Sequence, residues 1–227
     1  GEATFRSPIG GYINGNEIYD PPYTGATVGR SFGSTSFTSE GLRFNGHDSR
    51  ISYLLEPNLQ AGEISVMVKG IDEGNPGDKT KIFSMQEGNG NDITDNDYRM
   101  TVEKRGRDYV TPGATTWRII TGEADDHDRI IDGDRVGVAY SDESWYFWKF
   151  TWGNGRAALE VRENGPSGPV IYFSSRGMGD FPYRPTPHYV HLGAPVGRAG
   201  PIDASIPGAI YKNLWVSSRP RPPFPNE

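Results

Sequence analysis

SWYFWKFTW, residues 144–152, is the stretch that decides the fold. In an extended strand successive side chains alternate between faces. Tyr146, Trp148, Phe150 and Trp152 therefore share one side, while Trp145, Phe147, Lys149 and Thr151 share the other. The first side is wholly aromatic. Burying such a ring is worth roughly 1.5–3 kcal/mol, and only a second layer facing the strand can cover the whole row. The second side sets two rings beside Lys149 and Thr151, which suits a wet, ligand-accepting surface; the alternative is that these rings pack under a loop. A layered β protein with this strand central in its sheet is predicted.

Composition supports that outcome. Of 227 residues 34% are hydrophobic and 12% aromatic, so the core must rely on a few large rings. Thirty Gly and 18 Pro leave little room for long helices. A formal charge of −6 argues against a nucleic-acid backbone as partner, which needs clustered Lys and Arg. The absence of Cys excludes disulfides, zinc-thiolate sites and cysteine nucleophiles. No apolar run is long enough for a membrane-spanning helix. Gly1 stands where an initiating Met would, as after removal of a signal peptide, and the expected location is extracellular or periplasmic.

Outward from the aromatic stretch, alternation and turn residues predict further strands at 34–38, 41–45, 50–55, 63–69, 81–85, 98–104, 115–122, 135–140, 157–162, 170–175, 188–192 and 210–218. GNG at 153–155 returns the aromatic strand into 157–162 as a hairpin. The strands from 34 to 69 are spaced like an antiparallel meander. About thirteen strands at this spacing predict an all-β, two-sheet antiparallel β-sandwich or jelly roll. Residues 1–26 lack periodicity and read as an N-terminal arm packed on the domain, 27–218 as one sandwich domain, and RPRPPFPNE at 219–227 as a Pro-rich tail, either a linker or a strap on the sheet.

FWKFTWGNGRAALEV (147–161) and SIPGAIYKNLWVS (205–217) resemble the concanavalin A-like lectin/glucanase superfamily, LamG-like jelly rolls included. The matching positions are Trp152, Gly155, Leu159 and Val161, then Asn213, Leu214 and Val216. The resemblance implies a two-sheet jelly roll whose concave face binds polysaccharide. The glucanase triplet E-x-D-x-x-E, whose carboxylates act as nucleophile and acid, is absent. RMTVEKR at 99–105 lacks the spacing of the alginate-lyase strand R-x-E-x-R. Neither G-x-G-x-x-G nor G-x-S-x-G occurs, so nucleotide binding and a serine-hydrolase elbow have no support.

A jelly-roll lyase needs a base, an acid and groups that neutralise a uronate carboxylate. The candidate catalytic residues are His188, His191, Tyr189 and Tyr146. The candidate ligand-binding residues are Arg99, Arg118, Trp145, Lys149, His188 and His191, expected to line one cleft on the concave sheet. Three positions apart in a strand, His188 and His191 would point to opposite faces, so at most one serves a given cleft. Arg184 and Arg198 are further candidates for gripping acidic sugars. Two acidic loops carry Asp92, Asp95, Asp97, Asp125, Asp126 and Asp128, hard oxygen ligands suited to a structural Ca²⁺, although neither has EF-hand spacing. No cofactor is required. Three function classes remain open: a secreted, lectin-like domain binding polysaccharide or oligosaccharide, which is favoured; a polysaccharide lyase or glycoside hydrolase of the same fold; and a structural or adhesive surface domain.

Overall fold

The computed structural model describes residues 27–55, 61–72, 79–87, 99–105, 113–121, 129–178, 188–193 and 202–217, with shorter pieces at 5–7, 12–14, 17–19, 221 and 223–224. Among them every regular element is a strand, and two sheets face each other.

The smaller sheet runs in the order β16 (Val170–Gly177), β15 (Arg156–Glu163), β14 (Trp145–Gly153), β8 (Gly62–Lys69), β19 (Ile210–Ser217), β6 (Leu42–Phe44) and β5 (Thr35–Phe37), with β1 (Phe5–Ser7) also paired to β19. The larger sheet runs β12 (Arg129–Asp132), β11 (Ala114–Thr121), β10 (Arg99–Arg105), β9 (Lys79–Glu87), β17 (His188–Gly193), β7 (Arg50–Leu55), β4 (Thr27–Phe32), β3 (Glu17–Tyr19) and β2 (Tyr12–Asn14). Two short strands complete it: β13 (Val136–Gly137) pairs with β11, and β18 (Ile202–Ala204) joins β9 in the one parallel pairing among the described strands.

β14 carries the core of the smaller sheet, flanked by β8 and β15 in unbroken antiparallel register. Tyr146, Trp148 and Phe150 are buried between the sheets, with Trp152 partly buried beside Phe150. From the larger sheet Trp117 meets Phe150 edge-on, ring centroids 5.6 Å apart. Tyr140, just before the strand, stacks on Trp148 at 5.8 Å and stands edge-on to Tyr146 at 4.9 Å. Edge-on and offset pairs contribute about 0.5–1.5 kcal/mol each beyond the burial of their area. Trp117 Nε1 donates to the Ser174 carbonyl across the sandwich at 3.2 Å, which offsets the cost of burying the indole N–H.

Two local devices set the register. Gly153 pairs with Arg156, leaving Asn154 (φ 52°) and Gly155 (φ 70°) as a two-residue turn with both residues left-handed, the hairpin geometry that matches strand twist. In β19 the fully buried Asn213 adopts φ 57°, and the register with β8 shifts between Lys212 and Trp215. The shift lets Tyr211 and then Leu214 and Val216 all face the core; an unbroken alternation would have turned the last two outward.

The expected meander does not form. β5 and β6 pair in the smaller sheet, β7 lies in the larger sheet, and β8 returns to the smaller one beside β14 and β19. Alternation fixes which side of its own sheet a residue faces and carries no information about which sheet that is. Strands also occur at 5–7, 12–14 and 17–19 within the predicted arm, and at 129–132 within the predicted acidic loop. At three or four residues these are too short to show a period. The predicted strand at 135–140 shrinks to Val136–Gly137, because Val138 and Tyr140 turn inward to cap the aromatic cluster.

Gly133 donates its N–H to the Trp117 carbonyl at 2.9 Å, and a Cβ there would overlap the Trp117 indole. Gly133→Ala is expected to cost about 1–3 kcal/mol by overpacking and to lower the melting temperature by roughly 3–10 °C. Thermal melts followed by near-ultraviolet circular dichroism check this; an unchanged midpoint would mean that the indole does not rest on that backbone.

Candidate functional site

Hydrogen-bonded register aligns one polar row across the larger sheet. Asp132 pairs with Arg118, Arg118 with Thr101, Thr101 with Ser84, Ser84 with His191, and His191 with Ser52; the backbone of Arg30 continues the line. Directly paired residues share a sheet face. Their strand neighbours Trp117, Ile119, Met100, Val102, Phe83, Val190, Leu192 and Ile51 fill the core, so the row stands on the face turned away from the smaller sheet. At about 4.8 Å per strand it spans roughly 24 Å from β12 to β7.

Burial grades along the row. At the β12 end Arg118 donates to both oxygens of Asp132, at 2.6 and 3.0 Å, and the two side chains are 39% and 48% exposed. In the middle Thr101, Ser84, His191 and Ser52 are buried. Lys81 and Glu103, paired across β9 and β10, form a buried ion pair. Ser52 Oγ and His191 Nδ1 are hydrogen-bonded at 2.8 Å, and Arg50 Nε donates to Ser52 Oγ at 3.3 Å while its guanidinium lies 3.9 Å over the Phe32 ring. Burial, with the Arg50 charge nearby, pushes the His191 imidazole down to about 3. Burial also lowers Arg50 to about 10, against the opposing pull of Asp48, so Arg50 stays charged and His191 neutral near pH 7.

The predicted site residues divide between the two outer faces. Arg99, Arg118 and His191 come together on the larger sheet, with Arg99 in register with Gln86 and Ile120. His188 and Tyr189 occupy backbone positions in register with Leu55 and Leu54 of β7; their side chains lie outside the described ones. Trp145 and Lys149 stand on the outer face of the smaller sheet, on the opposite side of the sandwich. The single cleft expected from the sequence is therefore not formed, because β14 and the β10–β11 pair belong to different sheets. Tyr146 as a catalytic acid is also corrected. It lies in the core edge-on to Tyr140, and its hydroxyl accepts the Ser141 N–H at 2.7 Å. Asp92, Asp95, Asp97, Asp125, Asp126, Asp128, Arg184 and Arg198 lie outside the described residues. Among the described residues no three His, Asp or Glu are placed to hold a metal ion.

The outer rings of β14 are covered in part. Lys212 sits 4.2 Å over the Trp145 ring, and Arg221 lies over both Phe147 (4.9 Å) and the buried Phe224 (4.5 Å). The described part of the tail is thus a strap on this face. Sequence reasoning missed Asp132, Thr101, Ser84 and Ser52 as members of the polar row, and Arg50 beside it. Their alternation with core residues was readable, but their shared line depends on a strand order that joins distant segments.

Two outcomes follow for this geometry. An unfolded histidine titrates near 6.5 and His191 in the folded chain near 3, so between those values the unfolded chain holds a proton that the folded chain lacks. Stability therefore falls as the pH drops from about 6.5 towards 3. In His191→Gln the loss between pH 7 and pH 4 is expected to be smaller by on the order of 3 kcal/mol, read from denaturant unfolding at both pH values; identical losses would refute the buried neutral imidazole. Second, a chain ending before Arg221 should keep its far-ultraviolet spectrum but bind more of an apolar dye such as ANS, because Phe147 is uncovered. No gain in dye fluorescence would show that the strap is not what shields Phe147.

No protein-family model matches the sequence, and no characterised protein matches it by sequence. Solved structures do match. The exoplasmic/lumenal domain of VIP36 in its Ca²⁺-bound form superimposes with a TM-score of 0.58 at 9% identity, covering 97% of this chain and 92% of that one. Its Ca²⁺/Man2-bound form gives 0.56 at 10% identity, covering 98% and 90%. Full-length tailspike protein 2 from Escherichia coli O157:H7 bacteriophage CAB120 gives 0.51 at 12% identity, covering 84% of this chain and 24% of the tailspike. At such identities the likeness is one of fold: the chain has the legume-lectin, concanavalin A-like fold, two antiparallel sheets packed face to face.

Proposed function

We propose that this chain is a saccharide-binding domain of lectin type, meeting its ligand on the outer face of the larger sheet at the β10–β12 end. The observation that carries this is the Arg118–Asp132 fork, half exposed at the open end of an otherwise buried polar row. Sugar hydroxyls need donors and acceptors side by side at fixed spacing. A guanidinium locked in plane against a carboxylate offers both, and it loses little rotamer freedom when it binds. The exposed Ile130, one row away on β12, supplies an apolar contact for the C–H face of a ring. The VIP36 domain, which shares the fold, was solved with mannose oligosaccharides bound, which supports a sugar as the ligand class.

Binding without turnover is the reading we favour, because the candidate base whose side chain is described, His191, is unsuited to proton transfer. It is fully buried, and a group with a pKa near 3 is poorly matched to proton transfer near neutral pH. The domain is proposed to work outside the cytoplasm, extracellular or periplasmic, where polysaccharides are met.

A panel of neutral and uronate polysaccharides tests the proposal. Retention of at least one polymer, with no unsaturated product in the ultraviolet and no new reducing ends, is the expected result. Arg118→Gln should weaken retention about tenfold, the loss of one charged bidentate contact. Unsaturated product would establish a lyase and reducing ends a hydrolase. Neither binding nor turnover would leave the structural or adhesive class.

A further inference from the structure

Phe173 is the most exposed large hydrophobic residue among those described, at 59%, and it stands on β16, the edge strand of the smaller sheet. Its ring meets no other aromatic ring among the described residues. A lone exposed ring needs no explanation by itself. This one heads a second register row: Phe173 pairs with Glu160, Glu160 with Lys149, and Lys149 with Ser65. The alternate residues Tyr172, Leu159, Trp148 and Val66 are core, so the row lies on the outer face, across the sandwich from Arg118.

The polar members of the row are unevenly satisfied. Glu160 accepts from Arg162 Nε at 2.6 Å, and Arg162 also donates to the Gly168 carbonyl at 2.9 Å, which fixes the guanidinium. Lys149 Nζ forms a loose ion pair with Glu160 at 3.8 Å, beyond hydrogen-bond distance, and its side chain is 34% exposed. Among the described residues this half-buried ammonium donates no hydrogen bond, and its three N–H donors can turn to an incoming acceptor. Arg156 adds a further exposed cation on the same face, where its Nη2 donates to Ser175 Oγ at 2.8 Å. Among the described residues, the cations Lys149, Arg156 and Arg162 gather around the single carboxylate of Glu160 on this stretch, on a chain whose net charge is −6.

The geometry points to a second ligand site on this face, one that takes an acidic oligosaccharide: the C–H face of a pyranose rests on Phe173, and a carboxylate further along the chain meets Lys149. Charge complementarity selects the acidic class over a neutral one. Two strand spacings, about 10 Å, separate the ring from the ammonium, so the ligand is an oligomer rather than a single sugar. The site is independent of the Arg118 fork, and each can fail without the other.

The test uses the whole 227-residue chain with polygalacturonate and alginate as probes and mannan as the uncharged control. The parent is expected to bind at least one polyuronate, more weakly as salt rises. Phe173→Ala and Lys149→Ala should each weaken that binding about tenfold without changing the melting temperature, and Phe173→Tyr, which keeps the ring, should bind like the parent. The inference is overturned if the parent binds neither polyuronate, if both alanine variants bind as the parent does, or if only Arg118→Gln abolishes the binding.

Discussion

Desolvation of the rings on one side of β14 is the constraint that the rest of the sandwich satisfies. Tyr146, Trp148 and Phe150 can leave water together only if a second sheet closes over them, and the larger sheet does so with Trp117. That closure brings obligations of its own. The Trp117 N–H needs an acceptor and takes the Ser174 carbonyl, which draws β16 towards the larger sheet. Ser174 Oγ in turn accepts the Asp134 N–H at 2.8 Å, Tyr172 donates to the Asp134 carbonyl, and Arg176 pairs with the Asp134 carboxylate. One apolar demand thus organises a polar seam along the open side of the sandwich.

The outer faces have no such demand, and each resolves its exposure differently. On the larger sheet the polar row is buried towards its middle, where a neutral imidazole shares a hydrogen bond with Ser52 beside the charged Arg50. On the smaller sheet Arg221 and Phe224 cover Phe147, and Lys212 covers Trp145, while among the described residues β15 and β16 leave the face open. The two faces therefore present different chemistry. One offers a guanidinium–carboxylate fork, and the other an aromatic ring beside a Lys149–Glu160–Arg162 cluster.

The fold was legible because β14 carries a period of two in residues large enough to leave no doubt which side is core, and because Asn154 and Gly155 mark its hairpin. The site was legible only in fragments. Lys149 was correctly placed on the outer side of its strand, and Arg99 and Arg118 do share a face. What could not be read was that residues 62–69 and 145–153 belong to one sheet while 99–105 and 114–121 belong to the other. Strand partners are chosen by packing between distant segments, and nothing local in β10 or β14 records that choice. Tyr146 shows the same limit: its alternation with Trp148 and Phe150 marked it as core, and no cleft chemistry could move it out. Phe173 was passed over because Tyr172 and Phe173 are adjacent aromatics, and only the tertiary structure says which of the two faces water.

The position of β19 governs when this molecule can become itself. Residues 210–217 lie between β8 and β6 in the middle of the smaller sheet, not at its margin, and they also hold β1. Until that late segment arrives, β8 has an open edge and the two parts of the sheet are unjoined. A growing or refolding chain can zip the β14–β15 hairpin early, since its ends are adjacent. It must then wait for a contact of very long sequence separation before the sheet is continuous. Such topologies fold slowly, and their unpaired edges are exposed to other chains meanwhile. The strand bulged at Asn213 is thus the keystone in time as well as in space.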